Sequence, residues 1–330
     1  MNKITTIKDI AIALGISTST VSRILNGKNT SNSKLAEQVL ATARELNYQV
    51  NTAAKGLRTN KTGMIGIIVP EIGDDFFGSV LSGMEEIADA NKYNLLLCQS
   101  NESHDKEIEL VNSLIACNVE GIVISVSKET QSLDFLNPFL ALGKKVVVFD
   151  RTLTHPEIPA VIFNDWEGTT MAAEHLIETG HKSFLYVGLD KNLQNNKDRL
   201  SGYNQVLSQS NLPLCEEVYL DQWNFTSTDF KEIWNNKYDA IVCFNDVIAA
   251  RILSIAHEID LKIPEQASVV GFDNRLYSQY TFPKLTTVEH STRGMGKHVI
   301  NLLTSLLNDT EIIPVEMSTE LVLRDTTIKR

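Results

Sequence analysis

The sequence predicts two kinds of structure in one chain: a small all-α domain at residues 1–50, a short linker at 51–63, and an α/β body over 64–330 built of two lobes, each with its own parallel sheet. Three observations predict it. Before residue 50, apolar residues recur at helical spacing. From Met64 onward, aliphatic runs alternate with amphipathic stretches, the pattern of repeated β–α units whose strands are buried on both faces. Charge also changes sign along the chain: residues 1–62 hold nine Lys/Arg against three Asp/Glu, a net +6, while the chain as a whole carries −11, leaving −17 for the rest. A basic head on an acidic body is expected where the head alone meets phosphate.

Within the head, Thr6 and Asp9 have the spacing of a capping box, and Ile7, Ile10, Ala11 and Leu14 follow on one helical face. Gly15 supplies the left-handed residue that ends a helix. Ser17 caps a second helix with Val21, Ile24 and Leu25 facing inward. Its outward positions, Thr18, Ser19, Ser22, Arg23 and Asn26, are small, polar or basic, as a helix entering a major groove requires. A loop, GKNTSN, leads to a third helix over about 33–46, with Leu35, Val39, Ala43 and Leu46 on its apolar face. The segment Asn51 to Arg58 is helix-prone but too short to hold a helix alone in water, so a plain linker is the alternative reading.

In the body, strands are expected at 64–69, 94–98, 121–126 and 145–149, with helices at about 81–88, 104–117 and 131–142. A second sheet is expected to start with Val161-Ile162-Phe163 and to continue through 183–188, 240–244 and 268–272, with helices at 166–179, 198–210, 228–236 and 246–259. Open parallel sheets bind ligands beyond the carboxyl ends of their strands, so two such lobes predict a cleft between them. The polar residues just past strands are Asp74, Asp75, Asp150, Arg151, Asn245, Asp246 and Asp273, and Arg199 opens a helix. Singly, each is an ordinary cap or turn residue; as a set they suit a polyol, because carboxylates accept from hydroxyls while arginine and asparagine donate. Phe76, Phe77, Trp166 and Trp223 are candidate stacking partners for a sugar ring.

The run Thr6-Ile7-Lys8-Asp9-Ile10-Ala11, then Ala13-Leu14-Gly15-Ile16-Ser17, then Thr20-Val21-Ser22-Arg23-Ile24-Leu25-Asn26 closely resembles the DNA-binding start of the lactose-repressor (LacI/GalR) family of bacterial transcription regulators. The resemblance extends over essentially the whole chain, through residues 174–182, Val269-Val270-Gly271-Phe272-Asp273 and Pro283-Lys284-Leu285-Thr286-Thr287-Val288. It implies a helix-turn-helix head, a hinge helix, and a periplasmic-binding-protein-like body. The chain would cross between lobes near 161, 290 and 320, so that lobe 1 spans about 64–160 and 291–319 and lobe 2 about 161–290 and 320–330. It also implies that the hinge inserts an apolar side chain into the minor groove, at Leu57 with Asn51, Ala54 and Lys55 beside it, although Val50 stands where the family often has proline. Base readout is then expected from Thr18, Ser19 and Arg23, and backbone contact from Thr6, Ser17, Thr20, Ser22, Asn26 and Thr30. Asp150, Arg199, Asn245 and Asp273 fall at ligand-contacting positions of sugar-responsive members, with Phe77, His290 and Asp75 as further candidates.

The function so implied is a sequence-specific DNA-binding regulator, a repressor in the first instance, that reads a pseudo-palindromic operator as a homodimer. A small molecule, a carbohydrate before a purine or sugar phosphate, would control it; a protein co-regulator is the remaining alternative. A sugar-binding transport component would share the body but lack the basic head. Enzyme motifs are absent: there is no Gly-x-Ser-x-Gly, phosphate-binding loop or His-Glu-x-x-His, and the seven histidines are scattered. No catalytic residue, metal or cofactor is therefore expected. Four separated cysteines in or beside apolar runs are expected as buried free thiols. With no signal core and no apolar run of about 20 residues, a cytoplasmic location without membrane contact is expected.

Overall fold

The computed structural model describes residues 5–26, 33–48, 62–151, 153–222, 224–310 and 316–329. The chain divides into two compact units, residues 1–62 and 63–330. Thr30, Asn51, Ala54, Lys55, Leu57 and Trp223 lie outside the described residues.

Among the described residues the first unit holds three helices: α1 (Ile7–Leu14), α2 (Thr18–Leu25) and α3 (Ser33–Glu45). The Asp9 carboxylate accepts from the Thr6 backbone N–H at 2.8 Å and from its hydroxyl at 2.6 Å, which anchors the start of α1. Gly15 takes φ +66°, and the turn it makes lets the Ile16 N–H return to the Ala11 carbonyl. Ile10, Ala11, Val21, Ile24, Val39 and Ala43 form the buried centre, drawn from all three helices. Leu46, expected on the apolar face of α3, lies past the helix end and is exposed.

Among the described residues the second unit holds two six-stranded sheets. In the first, the order is β11–β5–β4–β3–β1–β2, from β1 (Met64–Val69), β2 (Asn94–Gln99), β3 (Gly121–Ile124), β4 (Lys145–Phe149), β5 (Ala160–Phe163) and β11 (Glu316–Met317), all parallel. The second runs β12–β10–β9–β8–β6–β7, from β6 (Phe184–Gly188), β7 (Glu216–Tyr219), β8 (Ala240–Cys243), β9 (Ser268–Phe272), β10 (Thr286–His290) and β12 (Thr319–Val322), with β12 antiparallel to β10. Side chains alternate across each sheet. On β1, Ile65, Ile67 and Val69 pack with α4 (Asp75–Ala90) and α11 (Thr292–Leu307), while Ile68 packs on the other face with α5 (His104–Ala116). In the second lobe, α7 (Asp165–Glu178) and α8 (Gln194–Gln209) cover one face, and α9 (Ser227–Trp234) and α10 (Asp246–Glu258) the other.

Three expectations are corrected. Val161–Phe163 does not open the second sheet: β5 pairs with β4, Val148 facing Ala160, and closes the first sheet, so the chain first leaves that lobe after Phe163. Residues 131–142 do not form one helix. Only a 3₁₀ turn (Asp134–Leu136) and one helical turn, α6 (Asn137–Leu140), appear, because Pro138 has no N–H and is tolerated only in a helix's first turn. The cysteines are not uniformly buried: Cys215 and Cys243 are, Cys98 is half-buried and Cys117 exposed. Among the described residues no helix is long and apolar enough to cross a membrane.

Near residue 291 the chain returns to the first lobe as α11, which crosses α4 at two glycines. A Cβ on Gly296 would stand 1.9 Å from the Val80 carbonyl oxygen, and one on Gly83 2.0 Å from that of Arg293. Backbone here packs on backbone, so neither clash is relieved by a side-chain rotation. Gly296→Ala is expected to lower the stability of the body by about 1–3 kcal/mol, seen as a lower urea midpoint at unchanged slope. An unchanged midpoint would mean that the helices part at no cost.

Candidate functional site

In the first unit, Ser17 begins α2 by accepting from the Thr20 N–H at 3.1 Å, and its hydroxyl also meets those of Ser19 and Thr20 at 2.8 Å. This binds Ser17 into the helix start. Thr18, Ser19, Arg23 and Asn26 are exposed, and Thr20 and Ser22 half-buried. With Val21 and Ile24 fully turned into the core, the opposite face of α2 presents hydroxyls and one guanidinium. Asn26 donates to the Ser22 carbonyl at 2.7 Å, so its amide is engaged by the helix itself. Thr6 is exposed one residue before α1.

In the second unit, strand ends from both lobes meet around a small cavity of about 30 Å³, lined among others by Asp74, Phe77, Asp150, Arg199, Asn245, Asp273 and Arg275. Asp74, which ends the turn after β1, caps α4 by accepting from the Phe76 N–H at 2.9 Å. Phe77 is buried, edge-on to Phe76 and Phe149, and offers the cavity an aromatic wall. Asp150 follows β4 at φ +58° and Asp273 follows β9 at φ +103°, both in the left-handed region that side chains seldom adopt. Such strain persists only where the surroundings hold it, and it clusters at functional sites. Asn245 caps α10, accepting from the Ile248 N–H at 3.0 Å while donating to Gln222 at 2.9 Å.

Arg199 is buried. Its guanidinium lies over the Phe272 ring at 3.7 Å and donates to the Phe244 carbonyl, to Asp165 at 3.2 Å, and stands 3.8 Å from Asp273. Its Nε, and Oδ1 of the neighbouring Asn195, are buried without a partner among the described residues. Buried polar atoms are rarely left so, and both belong to residues lining the cavity, where a ligand hydroxyl could satisfy them.

Charge sets the protonation of the carboxyls. Burial pushes Asp150 up to about 6, against the pull of Arg151 and Arg199. Burial acts on Asp273 as well, but Arg275, His290 and Arg199 outweigh it and hold that carboxyl at about 2. Asp246, fully buried, is pushed up to about 8 by burial and by the charge on Asp273. It still accepts from the Thr287 hydroxyl at 2.6 Å and from the Arg275 backbone N–H at 2.8 Å.

Of the residues singled out from sequence, Phe77, Asp150, Arg199, Asn245 and Asp273 line the cavity together, and Asp74, Phe76 and Arg151 join them. Asp75 sits at its edge, half exposed, and meets Arg275 at 2.6 Å. His290 is placed behind the wall: it presents Nε2 to Asp273 at 3.1 Å and stacks on Phe163 at 3.7 Å, so it positions the carboxylate from beneath. Trp166, 40% exposed on α7, is not among the lining residues. Sequence reasoning missed Asp165, Asn195 and Arg275, none of which stands directly at a strand end. Among the described residues no cluster of His, Cys, Asp and Glu could hold a metal ion.

Comparison with known proteins matches residues 6–51 to a model of bacterial regulatory proteins of the lacI family, and residues 173–327 to a periplasmic binding protein-like domain. The chain is similar to the HTH-type transcriptional regulator RegA of Clostridium saccharobutylicum, 30% identical over 98% of this chain and 99% of the relative. Its fold is like that of a Lac repressor dimer bound to operator and the anti-inducer ONPF (TM-score 0.88, 23% identity, 99% of this chain and 100% of that one). It is also like a periplasmic binding protein/LacI transcriptional regulator from Alkaliphilus metalliredigens QYMF complexed with D-xylulofuranose (TM-score 0.71, 26% identity, 81% and 99%).

The raised carboxyl of Asp246 has a consequence for stability. An unfolded aspartate titrates near 3.9, so between about pH 4 and pH 8 the folded protein holds a proton that the unfolded chain has lost. The stabilisation from this site is complete below pH 4 and declines as pH rises through 8. Asp246→Asn, neutral and nearly isosteric, is expected to gain melting temperature relative to wild type steadily from pH 5 to pH 8. A difference that stays constant over that range would show that Asp246 is ionised in the fold.

Proposed function

This chain belongs to the lacI family of bacterial regulatory proteins, and from that premise we infer that it is a cytoplasmic, homodimeric transcriptional regulator without catalytic activity. Its affinity for an operator is set by a carbohydrate bound between the lobes of its body. The single observation that carries the reading is that one chain holds two separate polar surfaces. A basic helical head presents the hydroxyl- and guanidinium-bearing face of α2, and an acidic body presents converging carboxylate, amide and guanidinium groups at its strand ends. Arg23 and the two hydroxyls of Thr18 and Ser19 are the readers of base edges; Thr6, Ser17, Thr20, Ser22, Asn26 and Thr30 position the backbone, and Leu57 wedges into the minor groove beside Asn51, Ala54 and Lys55.

A carbohydrate effector is supported by the donor and acceptor mix of the cleft, by the Phe77 wall, and by the sugar bound in the Alkaliphilus protein. A homodimer is supported by apolar surface of the kind a second copy covers: β2 ends its sheet with Leu97 exposed, and Leu276, Tyr280 and Phe282 stand out from the second lobe. Control follows by linkage: an effector that favours one lobe arrangement shifts operator affinity by its differential affinity for the two states.

Two measurements test this. Against an operator selected from random duplexes, Arg23→Ala should lose about 1–3 kcal/mol of binding and relax preference at one base position per half-site; a uniform loss across all sequences would make Arg23 a phosphate contact. In a thermal-shift panel of sugars on the full-length protein, at least one should raise the melting temperature by a few degrees at saturating concentration. Arg199→Ala should abolish that shift. A shift that survives the substitution would place the ligand elsewhere.

A further inference from the structure

Arg275 belongs to the second lobe and ends in the first. Its backbone N–H is fixed by Asp246, and Nε donates to Asp273 at 3.1 Å. Beyond them the guanidinium crosses the cleft. It meets Asp74 through both terminal nitrogens, Nη2 at 3.2 Å from Oδ2, and Asp75 through Nη1 at 2.6 Å. The two-pronged contact with Asp74 is the fork geometry by which arginine recognises a carboxylate. Arg275 is 8% exposed, and the carboxylates of Asp74 and Asp273 are buried with it. It fills the cleft: the remaining 30 Å³ admits a water or two, whereas pockets for small ligands begin at roughly 300 Å³. Two residues that line that remnant, Asn195 and Arg199, each hold a buried atom, Oδ1 and Nε, with no partner among the described residues.

We infer that Arg275 is an internal stand-in for the positively charged end of the effector, which is an amine-bearing polyol. This rests on the cleft being the effector site. A ligand of sugar size enters only if the guanidinium withdraws, and its withdrawal takes the ion-pair partner from the buried Asp74 and the half-exposed Asp75, and one cation from Asp273, which keeps Arg199 and His290. Unpaired buried carboxylates are costly, so the incoming molecule must replace the charge as well as the volume. A sugar phosphate would bring more negative charge to the three carboxylates, and a neutral sugar brings donors without charge. An ammonium supplies both, while ring hydroxyls reach the free Asn195 acceptor and the free Arg199 donor.

The test is titration calorimetry on the full-length protein and its Arg275→Ala variant at about pH 6.5, where a sugar amine is protonated. The probes are ethylguanidinium, glucosamine, glucose and glucose 6-phosphate. Both cations should bind the variant at least tenfold more tightly than wild type, and glucosamine should bind it at least tenfold more tightly than glucose does. Glucose and glucosamine binding the variant equally, or cations that do not distinguish the two proteins, would overturn the stand-in. Should Arg275→Ala not fold, Arg275→Gln gives the same comparison. A neutral sugar that shifts wild type and variant alike, and loses its effect in Arg199→Ala, would retain the effector cleft and overturn only the role of Arg275.

Discussion

At Asp273 the chain leaves β9 with φ +103°, and the carboxylate carried by this strained residue collects Arg275, His290 and Arg199 from three directions. The rest of the cleft depends on that convergence. Desolvation by itself would neutralise a carboxyl so placed; the cations around it keep it ionised, and it in turn fixes where they stand. His290 cannot tilt, because Phe163 stacks against it and Phe76 and Phe272 close its other sides. Arg199 is held by the Phe272 and Phe244 rings below and by Asp165 and the Phe244 carbonyl at its rim. On the side of the second lobe the site is held by this packing, and among the described residues its ion pairs with the first lobe run through one long side chain, Arg275.

Support for that side chain comes from an acid that stays uncharged. Asp246 lies over Gly271, where a Cβ would stand 2.1 Å from its Oδ1, so β9 must carry glycine for the carboxyl to fit beneath the turn. From there it takes the Arg275 N–H and the Thr287 hydroxyl. Burial pushes two aspartates only 27 positions apart in the chain toward the neutral form; at Asp273 the cationic neighbours overcome it, whereas at Asp246 a backbone amide and a hydroxyl do not.

Much of the fold was legible because its signals are local. The Thr6–Asp9 spacing, Gly15 at the helix end, and the aliphatic runs of β1, β4, β8 and β9 each identify an element without reference to the rest of the chain. β7 was not legible: it is an edge strand whose Glu216 and Glu217 face solvent, so it lacks an apolar period. The membership of β5 was not legible either, since which sheet a strand joins is a matter of pairing and not of composition. At the site, Asp150, Asn245 and Asp273 could be found because a residue just past a parallel strand has only one place to point. Arg275, two residues further on, could not, because its direction is set by Asp246, whose own position depends on the packing of α10 against β9.

The crossing of α4 by α11 joins segments that lie 213 positions apart, as the Ser79–Thr292 contact shows. During synthesis at about 5–20 residues per second, α4 therefore waits on the order of 10–40 s for its partner helix to be made. Through that interval the part of the apolar face of Val80 and Met84 that Met295, Val299, Ile300 and Leu303 later cover stays open. Nascent-chain collapse, chaperone engagement and proteolysis all act on this face before the first lobe can close. Helices α1, α2 and α3 of the head, complete by residue 48, are spared the wait. The order of emergence from the ribosome thus makes the head the first part of the chain able to fold and the first lobe among the last, although its strands begin at residue 64.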